Sequence, residues 1–381
     1  MDSAPPPDES ARPGSPGIRG RIRAPKPNGS GARRPGRRVR ATLVAGGAGF
    51  LGSHLCDRLI AEGRRVYCVD SLQTGRLGNL DHLADDPRLV FMEHDVRRPL
   101  PVFPDVDEVC NLACPASPPH YQKSPIDTVT TSIVGTLNLL EMARDRGARF
   151  LLTSTSEIYG DPEVHPQPES YRGNVSATGP RACYDEGKRV AETLCFDFIR
   201  QYRTDVRVAR VFNTYGPRMR LDDGRIITNF IGQALRGEQL TVYGSGRQTR
   251  SFCYVADLVE GLVRLLRAPG AVAGPVNLGN PEEHTILEVA DLIGTLTGRR
   301  IVLAHRPLPE DDPQRRRPDI ALARRLLGWS PRIPLREGLG ATIDWFEPQI
   351  ATSLPLADAE AFPSPPCGNG RGPRPGRGLG G

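Results

Sequence analysis

The sequence predicts an α/β protein that is built on a doubly wound parallel sheet and carries a smaller C-terminal lobe. Two observations support this class. Short apolar runs typical of strands alternate with long amphipathic stretches typical of helices, and this alternation favours parallel pairing of the strands. A glycine-rich turn also joins the first apolar run to the first amphipathic stretch, as expected where a buried strand leads into a helix.

Each predicted strand is a short segment rich in apolar residues. In chain order these strands lie at 42–45, 65–70, 89–92, 108–113, 150–154 and 206–212. Each predicted helix has apolar residues that recur on one face. The helices lie near 50–60, 125–147, 182–202, 226–236, 256–267, 286–297 and 335–347. After about residue 215 the strands become shorter and loops more frequent, which indicates the second lobe.

Both ends of the chain differ in composition from its middle. Residues 1–39 and 349–381 have few large apolar side chains, so we expect both to be disordered tails rich in Pro and Gly. Residues 1–40 hold ten Arg or Lys against three Asp or Glu, a net of +7, so this segment alone accounts for the chain's net charge of +6. No basic folded face that would bind nucleic acid is predicted. Between the tails we expect domains at 40–215 and 216–348.

The eight cysteines and seven histidines show no metal-binding or disulfide pattern. No CxxC pair occurs, and several cysteines, such as Cys68 and Cys110, lie inside apolar runs. We therefore expect free, buried thiols in a reducing compartment, which predicts a cytoplasmic protein without a bound metal. No apolar run approaches the roughly 20 residues of a membrane span, so no membrane association is expected.

The glycine turn predicts a dinucleotide site in the first domain. Gly46 permits a tight turn, Gly49 lets the backbone approach a pyrophosphate, and Gly52 lets helix and strand pack closely. Asp70 ends the next strand, where a carboxylate can accept hydrogen bonds from ribose hydroxyls. Since an acid at this position disfavours a 2′-phosphate, the sequence predicts NAD rather than NADP. The alternative is a structural glycine turn followed by a strand that happens to end in Asp.

A Tyr-x-x-x-Lys pair on a predicted helix supplies a candidate for acid–base chemistry. Tyr184 and Lys188 are spaced i and i+4, so they share one helix face. The pKa of a free tyrosine is about 10. A nearby lysine and the nicotinamide charge are expected to lower it towards neutrality. Thr155 directly follows the predicted strand at 150–154 and is expected to bond the reacting hydroxyl. Together these residues predict hydride transfer between NAD and a carbinol.

Longer motifs carry a resemblance to a known family. The glycine spacing GxxGxxG is similar to that of the extended short-chain dehydrogenases/reductases, with Ala45 in place of their usual Thr. Within this group the chain resembles the UDP-glucuronate decarboxylases from about residue 41 to 348. The resemblance is carried by the segments 113–121, 153–162, 183–193, 212–219, 240–246, 248–252, 277–281 and 311–320.

This resemblance implies a three-step conversion of UDP-glucuronate to UDP-xylose and CO₂ with recycled NAD. Tyr184 starts the reaction, and Glu157 and Arg250 assist decarboxylation and reprotonation. Asn213, Arg225, Tyr243 and Arg316 are expected to hold the UDP and pyrophosphate. Tyr121, Ser156, Asn213, Tyr243, Arg250 and Arg316 make up the expected substrate-binding set. The expected cofactor-binding set is Gly46, Gly49, Phe50, Leu51, Gly52, Asp70, Ser71, Thr74, Gly75, Asp95, Val96, Tyr184, Lys188, Thr214 and Arg225.

One departure from the family pattern bears on activity. The relatives usually carry Lys-Thr-Asn where this chain has Thr130, Thr131 and Ser132, and that lysine is expected near the sugar carboxylate. Its absence leaves open two alternatives to the decarboxylase. One is another NAD-dependent 4-epimerase or 4,6-dehydratase, and the other is an impaired homologue that binds NAD and UDP-sugar. The resemblance also implies a homodimer formed through the helices near 125–147 and 182–202.

Overall fold

The computed structural model describes residues 40–103, 105–270, 272, 274–307 and 315–353. The predicted tail at 1–39 lies outside the described residues, as does most of the predicted tail at 349–381. The first five residues of the second tail continue the last helix, which ends at Ser353.

The described residues form thirteen strands and ten α-helices. The strands are β1 Ala41–Ala45, β2 Arg65–Asp70, β3 Leu89–Glu93, β4 Val106–Asn111, β5 Arg149–Thr155, β6 Val206–Val211, β7 Thr214–Tyr215, β8 Leu240–Tyr243, β9 Thr249–Ser251, β10 Cys253–Tyr254, β11 Val276–Leu278, β12 Glu283–Thr285 and β13 Leu303–Arg306. The helices are α1 Phe50–Ala61, α2 Pro118–Tyr121, α3 Pro125–Thr130, α4 Thr136–Arg146, α5 Ala182–Tyr202, α6 Ile226–Leu235, α7 Val255–Arg267, α8 Ile286–Thr297, α9 Ala321–Leu327 and α10 Leu335–Ser353.

Seven strands form the central sheet, in the order β3-β2-β1-β4-β5-β6-β11. Every neighbouring pair in it runs parallel, which confirms the predicted doubly wound sheet. The chain reverses its direction of winding between β1 and β4, and ligands bind to such sheets at this switch point. β11 comes from the predicted C-terminal lobe, so residues beyond 215 also complete the sheet.

Helices cover both faces of this sheet. Strand residues alternate between the faces, so Val44 of β1 packs with α1 and α7 while Leu43 packs with α4 and α5. A third apolar cluster joins α6, α8 and α10 beyond the sheet. These three cores fix the carboxyl ends of the strands relative to the C-terminal helices, and that is where the site lies.

The helical pattern predicted at 125–147 is interrupted in the structure. α3 ends at Thr130, a π-helical turn occupies Thr131–Gly135, and α4 then runs to Arg146. The Thr130 hydroxyl donates to the carbonyl of Ile126 at 2.7 Å, and such bonds compete with the α-helical ladder. At the far end of the turn, a Cβ on Gly135 would lie 2.6 Å from a methyl group of Val96. π-turns are frequent at functional sites, and this one borders the cavity described below.

Candidate active site

A cavity of about 540 Å³ opens at the carboxyl ends of the central strands. Its wall includes Gly46 after β1, Asp70 at the end of β2, Leu112 after β4 and Thr155 at the end of β5. Residues of the C-terminal part, such as Arg250, close the opposite side. The cavity therefore lies at the edge where the sheet topology predicts a ligand.

The glycine turn forms a cradle that side chains would fill. Gly46 has a φ of +78°, and a Cβ there would lie 2.7 Å from the carbonyl carbon of Leu112. A Cβ on Gly52 would lie 2.0 Å from the carbonyl oxygen of Gly46, so α1 can approach the turn only without one. Helix α1 begins after Gly49 with no side chain capping it, which leaves its N–H groups free to bind an anion. This shape fits the pyrophosphate of NAD.

Asp70 joins the cradle to the loop after β2. Its Oδ2 accepts from the backbone N–H of Ala48 at 3.0 Å, and its Oδ1 accepts from that of Leu72 at 2.8 Å. Burial raises the pKa of this carboxyl, while these backbone hydrogen bonds act in the opposite direction. A Cβ on Gly75 would lie 2.7 Å from the same carboxylate, so Gly75 lets the loop pack around Asp70.

Tyr184 and Lys188 lie buried on one face of α5, next to the end of β5. The Lys188 Nζ donates to the carbonyl of Thr153 at 3.0 Å, which fixes the ammonium beside the strand. The ring of Tyr184 stacks on that of Tyr121, with ring centroids 5.1 Å apart and an interplanar angle of 4°. The Tyr121 hydroxyl is buried and has no hydrogen-bond partner among the described residues. Two aromatic rings thus form one wall of the cavity.

The protein matrix opposes ionisation of Tyr184. Burial raises the pKa of its phenol, the nearby Cys114 raises it further, and the Thr155 hydroxyl lowers it. The lower pKa that the sequence analysis expects therefore depends on the positive charge that nicotinamide brings to the cavity.

Glu157 follows Thr155 in the 3₁₀ turn Ser156–Tyr159 and is held between two arginines. Both Arg181 and Arg316 donate to its carboxylate, and all three side chains are largely buried. Burial alone would raise the pKa of Glu157, but the charges of Arg316 and Arg181 outweigh it and lower the pKa. Glu157 is therefore ionised at neutral pH. The sequence analysis did not identify Arg181, although it lies only three residues before Tyr184.

A second carboxyl, Asp185, lies next to this ion-pair cluster. It is 6% exposed, and its Oδ1 has no hydrogen-bond partner in the part of the chain that the structure describes. Burial, together with the charge of Glu157, raises the pKa of Asp185 to about 7. The sequence analysis did not single out Asp185, because only its burial beside Glu157 distinguishes it from an ordinary helical aspartate.

The structure brings almost all predicted site residues to one cavity, although their individual roles stay predictions. The lining residues from the predicted sets are Gly46, Gly49, Phe50, Leu51, Gly52, Asp70, Ser71, Thr74, Asp95, Val96, Tyr121, Thr155, Ser156, Glu157, Tyr184, Lys188, Asn213, Thr214, Arg225, Tyr243, Arg250 and Arg316. Gly75 is the exception and lies behind Asp70. The carboxylate of Asp95, a member of the expected cofactor-binding set, is paired with Arg97 at 2.7 Å.

Thr130 lies beside the cavity wall rather than in it. Its neighbour Thr131 lines the cavity, whereas the Thr130 hydroxyl bonds the carbonyls of Ile126 and Asp127 within α3. An Arg97 Nη1 lies 3.4 Å from the Thr130 hydroxyl and also pairs with Asp127. A guanidinium that is paired with two carboxylates, those of Asp95 and Asp127, therefore lies beside Thr130.

Within the described residues, no three His, Cys, Asp or Glu side chains cluster in a way that could hold a metal ion. The described cysteines are free, as predicted. No helix in the described ranges combines the length and the apolar character that crossing a membrane requires.

The fold and the site define an NAD-dependent enzyme of the extended short-chain dehydrogenase/reductase class. The model of the NAD dependent epimerase/dehydratase family matches residues 42–279. The chain therefore belongs to this family, and within it to the UDP-glucuronic acid decarboxylases.

Two curated relatives and one solved structure illustrate this assignment. UDP-glucuronic acid decarboxylase 1 of Danio rerio is 56% identical over 308 residues, covering 81% of this chain and 73% of the relative. UDP-glucuronic acid decarboxylase 6 of Arabidopsis thaliana is 54% identical over 298 residues, covering 78% and 86%. The crystal structure of UDP-glucuronic acid 4-epimerase from Bacillus cereus in complex with NAD has a TM-score of 0.72 and 28% identity, covering 81% of this chain and 99% of that one.

Proposed function

We propose that this protein decarboxylates UDP-glucuronate to UDP-xylose and CO₂ with NAD as a recycled cofactor. The observation that carries the proposal is the position of Glu157 between Arg181 and Arg316, on the wall that also holds Tyr184 and Thr155. An acid–base tyrosine and an ion-pair cluster thus share one cavity. The names of the closely similar relatives support the same substrate.

The first step assigned to the protein is proton removal from the C4 hydroxyl of the sugar. Tyr184 takes this proton, Thr155 orients the hydroxyl, and Lys188 stabilises the phenolate by its charge. The turn of Gly46, Gly49 and Gly52 would hold NAD, which would supply the hydride acceptor for the oxidation at C4 and the hydride donor for the final reduction. The stacked ring of Tyr121 keeps Tyr184 in one orientation and excludes water from one side.

Oxidation at C4 makes the substrate a β-keto acid. The bond between C5 and C6 then breaks, C6 leaves as CO₂, and its electron pair moves into an enolate centred on the C4 oxygen. C5 takes up one proton, so each turnover consumes one proton. This proton comes from solvent, and we assign to Arg250 and to Glu157, which its two arginines keep ionised, the role of orienting the water that delivers it to C5. Tyr184 finally returns its proton to the C4 oxygen.

The product mass tests this proposal directly. Purified protein with NAD and UDP-glucuronate should yield a nucleotide sugar that has lost the mass of CO₂. A product of unchanged mass but inverted stereochemistry at C4 would instead identify a 4-epimerase, the activity named for the similar Bacillus cereus structure. Loss of water would identify a dehydratase.

Thr130 stands where the family pattern has lysine, so the same assay must also distinguish an active enzyme from an impaired homologue. If the protein binds UDP-glucuronate without turnover at saturating NAD, it is an impaired homologue. We expect turnover, because Tyr184 and Glu157 line the cavity whereas Thr130 does not.

We also propose a homodimer and a cytoplasmic location. Exposed apolar side chains lie on the helices expected to pair, with Ile126 73%, Val190 37% and Tyr202 44% exposed. A monomeric mass in light scattering would refute the dimer. The free cysteines fit a reducing compartment, which fractionation of cells that express the protein would check.

A further inference from the structure

We propose that a buried hydrogen-bond relay positions the ion pair between Glu157 and Arg316 relative to the catalytic helix α5. The relay consists of Glu192, Arg210, Tyr159, Asn277 and Gln167. This inference rests on the proposed function for its kinetic consequences, while its structural consequence can be measured without any turnover.

The relay begins on the catalytic helix. Glu192 continues the line of Tyr184 and Lys188 at the same four-residue spacing, and it is buried. Its Oε1 accepts from the Ser154 hydroxyl at 2.5 Å, next to Thr155. Arg210 of β6 then binds the same carboxylate with two bonds, of 3.0 and 2.7 Å. Such a bidentate pair fixes both orientation and distance.

Tyr159 is the centre of the relay. Its hydroxyl accepts from Arg210 Nη1 at 3.0 Å and donates to Asn277 Oδ1 at 2.8 Å. The side chain is fully buried, and the residue belongs to the same 3₁₀ turn as Glu157. The Glu157 end of the ion pair is therefore tied to Arg210 through a turn of only four residues.

The far end of the relay holds the backbone that directly follows Arg316. The Asn277 amide donates to the carbonyls of Gln167 and Asp319 at 3.0 and 3.1 Å. Gln167 in turn donates its N–H to the carbonyl of Arg317 at 2.9 Å and accepts from the Arg317 N–H at 2.9 Å through its side chain. Asn277 and Gln167 are both 0% exposed, so water cannot replace these bonds.

Both partners of the ion pair are thus fixed by one continuous network that also includes α5. Glu157 and Arg316 are 159 residues apart in the chain, so their relative position depends on contacts between distant segments, of which this network is one. Removing one hydroxyl from the centre leaves Asn277 Oδ1 unpaired in a dry interior. We expect the segment around Arg316 to shift or loosen in response.

The decisive variant is Tyr159→Phe, and Tyr171→Phe is its matched control. The ring of Tyr171 stacks on that of Tyr159 with centroids 6.0 Å apart, but among the described residues its hydroxyl accepts only from the exposed Glu163 N–H at 3.1 Å. Both variants remove one phenol oxygen from the same aromatic cluster. In single-turnover experiments with NAD-loaded protein, Tyr159→Phe should leave the first appearance of reduced cofactor within about twofold of wild type. It should slow release of CO₂ about tenfold, so that the 4-keto acid accumulates.

Amide hydrogen exchange gives a readout that does not depend on the reaction. The N–H groups of Arg317 and Asp319, both bonded to Gln167, should exchange about tenfold faster in Tyr159→Phe and unchanged in Tyr171→Phe. Unchanged exchange in Tyr159→Phe overturns the relay, and so does an equal slowing of oxidation and decarboxylation. A wild-type protein that releases no CO₂ contradicts the proposed function alone, because the exchange result still decides the relay.

Arg210→Lys provides an independent check at the next position. Lysine can pair with Glu192 but cannot at the same time reach Tyr159 and the carbonyl of Glu169, which Arg210 Nη1 bonds at 2.9 Å. The double variant with Tyr159→Phe should be no slower than the slower single variant, since both interrupt one network. Multiplicative losses would show two separate effects and overturn the relay.

Discussion

The two ends of the cavity are built in different ways. The cofactor end is made of backbone, in a glycine turn whose shape is fixed by close approaches such as Gly52 to Gly46. The substrate end is made of charged side chains, with Glu157 held by arginines from two other segments. Short-range sequence determines the first, whereas contacts between distant segments determine the second.

Because of this difference, the two ends of the cavity should be impaired by different kinds of substitution. A binding site made of backbone loses its ligand when an added side chain fills it, but substitutions that change only the charge of nearby side chains should affect it little. An ion-pair cluster tolerates small changes of shape but fails when one charge is left without its partner in a buried place. The predictions below test this contrast, starting at the residue where the two ends meet.

Tyr184→Phe should lower kcat about a thousandfold, the middle of the range for loss of a general acid–base group. The phenylalanine ring can keep the stack on Tyr121, so the cavity wall should survive. Bound NAD, measured after gel filtration, should remain at the wild-type level. Retained turnover would remove Tyr184 from its proposed role.

Gly52→Ala should weaken NAD binding at least about a hundredfold, because the new Cβ would lie 2.0 Å from a backbone oxygen. Titration of the apoprotein with NAD measures the effect. Gly340→Ala in α10 is the control, since no atom lies within 4 Å of its Cβ position. Equal affinities in the two variants would contradict a cofactor end that is defined by backbone shape.

Glu157→Gln should slow decarboxylation about thirtyfold while NAD affinity stays unchanged. The amide keeps the shape but leaves Arg181 and Arg316 without their counter-charge. Mass spectrometry of quenched reactions should detect a 4-keto sugar that still carries its carboxylate. If Glu157→Gln decarboxylates at the wild-type rate, Glu157 does not take part in the reaction, and the contrast between the glycine turn and the ion-pair cluster is weakened.

Asp185→Asn should have the smallest effect, on the pH dependence of stability. With its pKa raised to about 7, folded Asp185 keeps a proton that the unfolded chain releases near its ordinary pKa. The protonated Asp185 side chain contributes its full stabilisation below the pKa that Asp185 has in the unfolded chain. This contribution is lost as the pH rises towards about 7. The free energy of unfolding of Asp185→Asn should therefore exceed that of wild type by on the order of 1 kcal/mol near neutral pH, and less in acid.

Denaturant titrations across this pH range measure the difference. Glu186→Gln, at the half-buried neighbouring position, serves as the control for loss of a carboxyl from α5. If the difference in unfolding free energy between Asp185→Asn and wild type does not change with pH, the pKa of Asp185 is not raised in the folded protein.

The sequence predicted the parallel sheet and most helix bounds, because hydrophobic periodicity reflects burial on one face. The bounds of the predicted helices 182–202 and 286–297 agree with α5 and α8. The interruption at Thr131–Gly135 was not predicted, since periodicity cannot distinguish a π-turn from an α-turn. The π-turn depends instead on the packing of Gly135 against Val96 and on the hydrogen bond from the Thr130 hydroxyl to the carbonyl of Ile126.

The same division holds within the site. Gly46, Gly52 and Asp70 could be interpreted from local context, because the strand before and the helix after them define their geometry. Arg181 and Tyr159 could not, because their importance arises from partners far away in the chain. Longer motifs pointed to Glu157 and Arg316 as individual residues, but their pairing is a property of the folded chain.

The carboxylate of Asp70 already carries two hydrogen bonds from the backbone N–H groups of Ala48 and Leu72. It is therefore a structural tie between two loops as well as the group predicted to favour NAD over NADP. Replacing it to admit a phosphorylated ribose would release both loops at once. Engineering this scaffold towards the other nicotinamide cofactor would thus require rebuilding the 46–52 and 71–75 loops together, and a single substitution would not be enough.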